Sequence, residues 1–152
     1  MKKLNFLFVL MVILLASSCN KDENLIVGTW KAASFISAEC DNPEDNFNMD
    51  FINGCFSQSD LGFSIEVCME ITFNKDKTYS TLTTSSFTFE GETETETETE
   101  TGTYTITGDI LKLCDGAGSC DEGTFAVTKT TLTLFDLDSE DGCKTEFRMT
   151  KK

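Results

Sequence analysis

Histidine is missing from all 152 residues, which excludes Ser-His-Asp and Cys-His catalysis and any histidine-held metal centre. Proline occurs once, as Pro43, and no long stretch shows the apolar spacing of an amphipathic helix, which argues against a helical bundle. Positive charge is scarce. Twelve Lys and Arg stand against 26 Asp and Glu, for a net charge of −14, and Arg148 is the sole arginine. Nucleic acid is therefore excluded as a partner, because phosphate contacts need basic patches. An anionic bilayer would repel the chain for the same reason. The cysteines show no C-x2-C spacing, so a structural zinc site is not expected, nor is any other metal or cofactor. Scattered carboxylates could pair for hydrolysis, but none stands in an assignable pair. The expectation is a protein that is not an enzyme.

The N-terminal segment is apolar and short. Lys2 and Lys3 precede Leu4 to Ala16, a run broken only by Asn5. A bilayer-spanning helix needs roughly 20 apolar residues; this run is shorter and ends in small residues, the pattern of a processed export signal. Leu15-Ala16-Ser17-Ser18-Cys19 resembles the lipobox of bacterial lipoproteins. The resemblance implies cleavage before Cys19 and acylation of that cysteine, with several acyl chains holding the protein on a membrane. An ordinary secretory signal, with Cys19 left for a disulfide, is the competing reading. Asn20-Lys21-Asp22-Glu23-Asn24 resembles the acidic export signal of some Gram-negative surface lipoproteins, which implies the outer membrane and surface exposure. A plain polar tether fits that segment equally well. The expected division is a signal peptide at 1–18, an acylated tether at 19–24 and one folded domain at 25–152.

Seven cysteines are an odd number for an exported chain. Setting Cys19 aside for lipid leaves Cys40, Cys55, Cys68, Cys114, Cys120 and Cys143, enough for three disulfides in an oxidising compartment. Cys114–Cys120 spans a glycine-containing turn and is the pair best supported by spacing. Cys40–Cys55 would staple a loop, and Cys68–Cys143 would follow by elimination.

Period-two alternation dominates the rest. From Ser64 to Phe73, Ile65, Val67, Met69, Ile71 and Phe73 fall on one face and polar residues on the other, as in a half-buried strand. Further strands are expected at Ile26–Ile36, Thr78 onward, Thr103–Thr107, Ile110–Cys114, Gly123–Thr128, Thr131–Leu137 and Cys143–Thr150, separated by turn residues. The fold class is all-β, an antiparallel meander of about eight strands closed as a barrel or stacked as a sandwich. Residues 38–62 break the pattern and are expected to form a loop with one short helix.

Leu25-Ile26-Val27-Gly28-Thr29-Trp30 resembles the Gly-x-Trp opening of lipocalin-like domains. Ile71-Thr72-Phe73-Asn74-Lys75-Asp76-Lys77-Thr78-Tyr79 and Gly102-Thr103-Tyr104-Thr105-Ile106 look like units of bacterial lipocalin-like lipoproteins. The resemblance spans residues 25–150 and implies a lipocalin-like β-barrel whose floor is closed by Trp30 beneath an arginine of the last strand, here Arg148. One departure is evident: Arg148 alternates with Phe147 and Met149 and so belongs to the polar face.

Two functions follow as expectations. In the first, the barrel binds a small apolar ligand. Its lining would come from Ile65, Val67, Met69, Ile71 and Phe73 on one strand, and from Tyr104, Ile106, Leu111 and Leu113 on the next pair. Phe125, Val127, Leu132 and Leu134 would complete it, since small barrels can hold one ligand. In the second, a filled barrel displays an acidic hairpin to a protein partner. In that hairpin Glu92, Glu94, Glu96, Glu98 and Glu100 alternate with threonines. Carboxylates about 6.8 Å apart along one face repel one another, so a solvated protruding tip is expected, with a strand that gathers cations as the competing reading. Asp136 to Gly142 departs from the EF-hand pattern, with Phe147 in the place of the bidentate glutamate, and reads as a charged turn.

Overall fold

The computed structural model describes residues 20–60, 62–136 and 142–152. The expected signal segment, Cys19 and the middle of the acidic turn at 137–141 lie outside the described residues.

The described residues begin with a short helix, α1 (Asn20–Ile26), with Asp22 and Glu23 in its first turn, where they complement the positive end of the helix dipole. Among the described residues ten strands follow: β1 (Gly28–Ala38), β2 (Phe47–Asp50), β3 (Cys55–Asp60), β4 (Phe63–Phe73), β5 (Thr78–Phe89), β6 (Glu92–Thr107), β7 (Ile110–Asp115), β8 (Cys120–Val127), β9 (Thr131–Phe135) and β10 (Lys144–Lys151). β4 through β10 pair in chain order, and β10 pairs with β1. Gly28–Lys31 of β1 also pairs with Glu70–Phe73 of β4, which closes eight antiparallel strands into an up-and-down barrel. The expected all-β meander of eight strands is the observed fold.

Closure is confined to one end. Beyond Lys31 and Glu70, β1 and β4 diverge, and the insert at 38–62 occupies the gap. It contributes β2 on the edge of β1 and β3 on the edge of β4, after a 3-10 turn at Pro43–Asp45. The expected loop with a short helix thus keeps one helical turn but also carries two short strands. The Asn, Asp and Ser of this segment read as loop, yet the open edges of β1 and β4 offer backbone partners that composition does not reveal.

Register also settles the disulfides, which are Cys40–Cys143, Cys55–Cys68 and Cys114–Cys120. Cys114 faces Cys120 across the β7–β8 hairpin, as expected from spacing. The expected pairs Cys40–Cys55 and Cys68–Cys143 are not formed. Cys55 lies directly opposite Cys68 in the β3–β4 ladder. Cys40 leaves β1 just past Ala38, whose partner is Lys144, and so arrives beside Cys143.

The core fills the closed half of the barrel. Ile26, Trp30, Ile71, Phe73, Tyr79, Tyr104, Leu111, Leu113, Phe125, Leu132, Leu134 and Met149 form one buried cluster, with Val27, Ile106, Val127 and Phe147 packed against it. Instead of belonging to the first strand, Ile26 ends α1 and plugs the closed end. Its carbonyl accepts a 2.6 Å hydrogen bond from the Trp30 indole nitrogen.

The seam between β1 and β4 carries an ion cluster. Glu70 lies 3.4 Å from Lys31 and 3.1 Å from Lys152. Burial raises the Glu70 pKa, but hydrogen bonds and charge from Lys152 and Lys31 outweigh it and leave the carboxyl below its usual value. The associated stability is present above the ordinary carboxylate range and is lost as pH falls through the lowered value. Glu70→Gln should therefore cost about 0.5–1 kcal/mol at neutral pH and progressively less in acid. Melting temperatures of both proteins across that range check this; a gap that does not change with pH would contradict it.

Candidate ligand-binding trough

β6 runs unbroken from Glu92 to Thr107, but only Gly102–Thr107 pairs with β7. Residues 92–101 pair with β5 alone. Together with β4 and β3, this half of β6 forms a sheet that projects past the closed core. Its hinge point is Gly102. A Cβ there would lie 2.1 Å from the Cys114 carbonyl oxygen and 2.7 Å from the Tyr79 ring, so only glycine allows this close approach.

Directly opposed residues of a ladder share a face, so the register fixes what the projecting sheet presents. Phe73, Tyr79 and Gly102 are aligned, and Phe73 and Tyr79 are buried core residues. Counting outward by twos along the same face gives Ile71–Thr81–Glu100, Met69–Thr83–Glu98, Val67–Ser85–Glu96, Ile65–Phe87–Glu94 and Phe63–Phe89–Glu92. The glutamates of the repeat therefore lie on the barrel-facing, concave side, beside the apolar residues of β4. The threonines lie on the outer side, where Thr88 and Thr93 hydroxyls meet at 2.8 Å and Ser86 and Thr95 at 3.0 Å.

A trough of about 730 Å³ is lined by Ile65, Val67, Ser85, Phe87, Glu94 and Glu96 of the concave face and by Glu66, Ser86 and Thr95 of the row between them, whose side chains belong to the outer face; the volume is within the usual range for small-molecule sites. Its apolar residues are accessible: Ile65 is 38% and Phe87 44% exposed. Phe63 stacks on Phe87 with ring centroids 6.2 Å apart. Toward the barrel, Phe56, Phe51, Phe147 and Phe35 form a chain of ring contacts between 5.9 and 6.4 Å. At the base, the Tyr79 hydroxyl has a raised pKa, caused first by burial and then by the charges of Glu100, Asp115 and Asp121.

The structure divides the thirteen expected lining residues. Ile71, Phe73, Tyr104, Leu111, Leu113, Phe125, Leu132 and Leu134 are buried in the core cluster, and Ile106 and Val127 pack against it. These residues fill the closed half by contact with one another. Ile65 and Val67 line the trough, and Met69 is partly buried on the same face between them and the core.

The floor-closing role expected of Arg148 is corrected. Arg148 lies on the outer face and pairs with Glu146 at 2.6 Å. The cation over Trp30 is Lys151, whose ammonium lies 4.9 Å from the ring centroid and hydrogen-bonds the carbonyls of Leu25 at 3.1 Å and Val27 at 2.9 Å. Lys151 is the cross-strand partner of Trp30. It was legible in principle, since it falls two residues after the inward-facing Met149.

Metal chemistry gains no site from the described residues. Cys55, Glu66 and Cys68 come together, but the two sulfurs are joined in a disulfide and only the carboxylate could ligate. Of the acidic turn, Asp136 is described; its carboxylate accepts a hydrogen bond from the Thr145 backbone at 3.2 Å.

A closed, eight-stranded, up-and-down antiparallel barrel places the molecule among lipocalin-like folds. Among solved structures, the chain is similar to a lipocalin-like protein from Bacteroides uniformis, at 12% identity over 84% of this chain and 99% of that one, with a TM-score of 0.42. It is also similar to an uncharacterized protein from Bacteroides eggerthii, at 14% identity over 84% and 99% of the two chains, with a TM-score of 0.39. No family model and no curated protein matches the chain.

Proposed function

We propose that this protein is a lipid-anchored binding protein of the outer membrane that holds a small ligand with an apolar body in the trough, above the barrel core. The observation that carries this reading is the accessible apolar surface of Ile65, Val67 and Phe87 beside a closed half already filled by its own side chains. Anchoring rests on the lipobox resemblance around Cys19. α1 begins at the next residue and leads into the closed end, so an acyl chain there would hold that end at the bilayer and leave the trough facing away. Surface exposure follows the same reading of residues 20–24.

The test uses the soluble protein beginning at Asn20, with its disulfides formed, and the uncharged dye N-phenyl-1-naphthylamine. Saturable binding at one site is expected, with a rise in melting temperature. Val67→Ser and Phe87→Ser should each weaken it by about tenfold, the cost of roughly one lost apolar contact of this size. Binding that ignores both substitutions would place the ligand elsewhere. Absence of dye binding would favour the second reading, a display protein that offers its projecting hairpin to a partner, for which the exposed Phe63, Phe87 and Phe89 speak.

A further inference from the structure

The trough has one apolar wall and one acidic wall. Ile65, Val67 and Phe87 supply the first and Glu94 and Glu96 the second, with Ser85 on the same face, while Glu66, Ser86 and Thr95 of the lining belong to the row that faces the other way. No basic residue belongs to the lining. Among the described residues, neither Glu94 nor Glu96 takes part in an ion pair. Glu94 lies directly across from Phe87, and Glu96 across from Ser85, with side-chain origins about 5 Å apart in such pairs. The two glutamates are themselves about 6.8 Å apart along β6, inside the screening length at physiological salt. Two neighbouring carboxylates on one side of an apolar surface leave their mutual repulsion uncompensated until a cation arrives.

We propose that the ligand is an amphiphilic amine, with its hydrocarbon body on Ile65, Val67 and Phe87 and its ammonium group between Glu94 and Glu96. This rests on the trough being the binding site. A cation in that place is attracted by both carboxylates and by the exposed face of Phe87. A carboxylate headgroup would instead be driven off by them, so a fatty acid is the wrong cargo despite its matching tail.

Three probes of equal chain length separate the possibilities: decylammonium, decanol and decanoate, titrated calorimetrically into the soluble protein at low and at physiological salt. Decylammonium should bind about tenfold more tightly than decanol at low salt, with the difference shrinking as salt rises. Decanoate should bind more weakly than decanol. Glu94→Gln combined with Glu96→Gln should abolish the preference for the amine while leaving decanol binding in place. Glu44→Gln combined with Glu122→Gln changes net charge equally away from the trough and should leave the preference intact. Equal binding of decylammonium and decanol would overturn the amine assignment while the trough remains the site. Loss of the preference in the Glu44/Glu122 variant would overturn it too, by reducing it to overall charge. Binding of none of the three would overturn both the assignment and the trough reading.

Discussion

Replacing Cys40 and Cys143 together by serine is expected to lower the unfolding free energy by about 4.7 kcal/mol, the largest loss among the three bridges. The bridge spans 103 residues, against 13 for Cys55–Cys68 and 6 for Cys114–Cys120. In the chain-entropy treatment, the constraint on the unfolded chain grows with the logarithm of the loop, which gives about 2.9 and 2.2 kcal/mol for the shorter two. Cys40–Cys143 also ties the far ends of β1 and β10 on the open side, where β1 is no longer joined to β4. Denaturant unfolding of the three paired variants checks the order. Equal losses, or a larger loss from Cys114–Cys120, would contradict it.

Trp30→Ala should cost about 3–5 kcal/mol, as expected for truncating a fully buried aromatic. Trp30 has no exposed surface, touches the floor of the core and holds the end of α1 through its indole hydrogen bond. Its loss removes packing and leaves the Ile26 carbonyl without this donor. A melting temperature lower by on the order of ten degrees or more is expected. The cation above the ring gives a sharper comparison. Lys151→Ala removes a contact worth about 0.5–2 kcal/mol along with two hydrogen bonds to carbonyls. Arg148→Ala breaks only an exposed pair, typically worth under about 1 kcal/mol. A cost for Arg148→Ala equal to or above that for Lys151→Ala would reinstate the arginine as the closing residue.

Alternation made the barrel legible because burial of one strand face is written locally. Ser64–Phe73 shows this: Ile71 and Phe73 are in the core as the pattern implies. The same pattern could not say how far along the strand the barrel ends. Ile65 has the correct face but sits above the core, because height depends on where β1 and β4 part company. The Thr/Glu repeat was readable by the same parity. Glu92 through Glu100 share even numbering with the inward Tyr104, and β6 has no bulge to change it. Repulsion between the glutamates suggested a solvated tip, and the observed strand is stabilised by its full ladder with β5 and by outward hydroxyl pairs. Elements that depend on distant register were not legible. β2 and β3 exist because open edges were available to them, and Cys40 finds Cys143 only once β1 and β10 are aligned.

The most direct test is a methyl NMR titration of the soluble protein with decylammonium. The expected result is a saturable shift of the Ile65 and Val67 methyl resonances, while those of Leu111, Leu132 and Leu134 hold still. Shifts concentrated in the three leucines, with Ile65 and Val67 unmoved, would place the ligand inside the barrel and contradict a filled closed half.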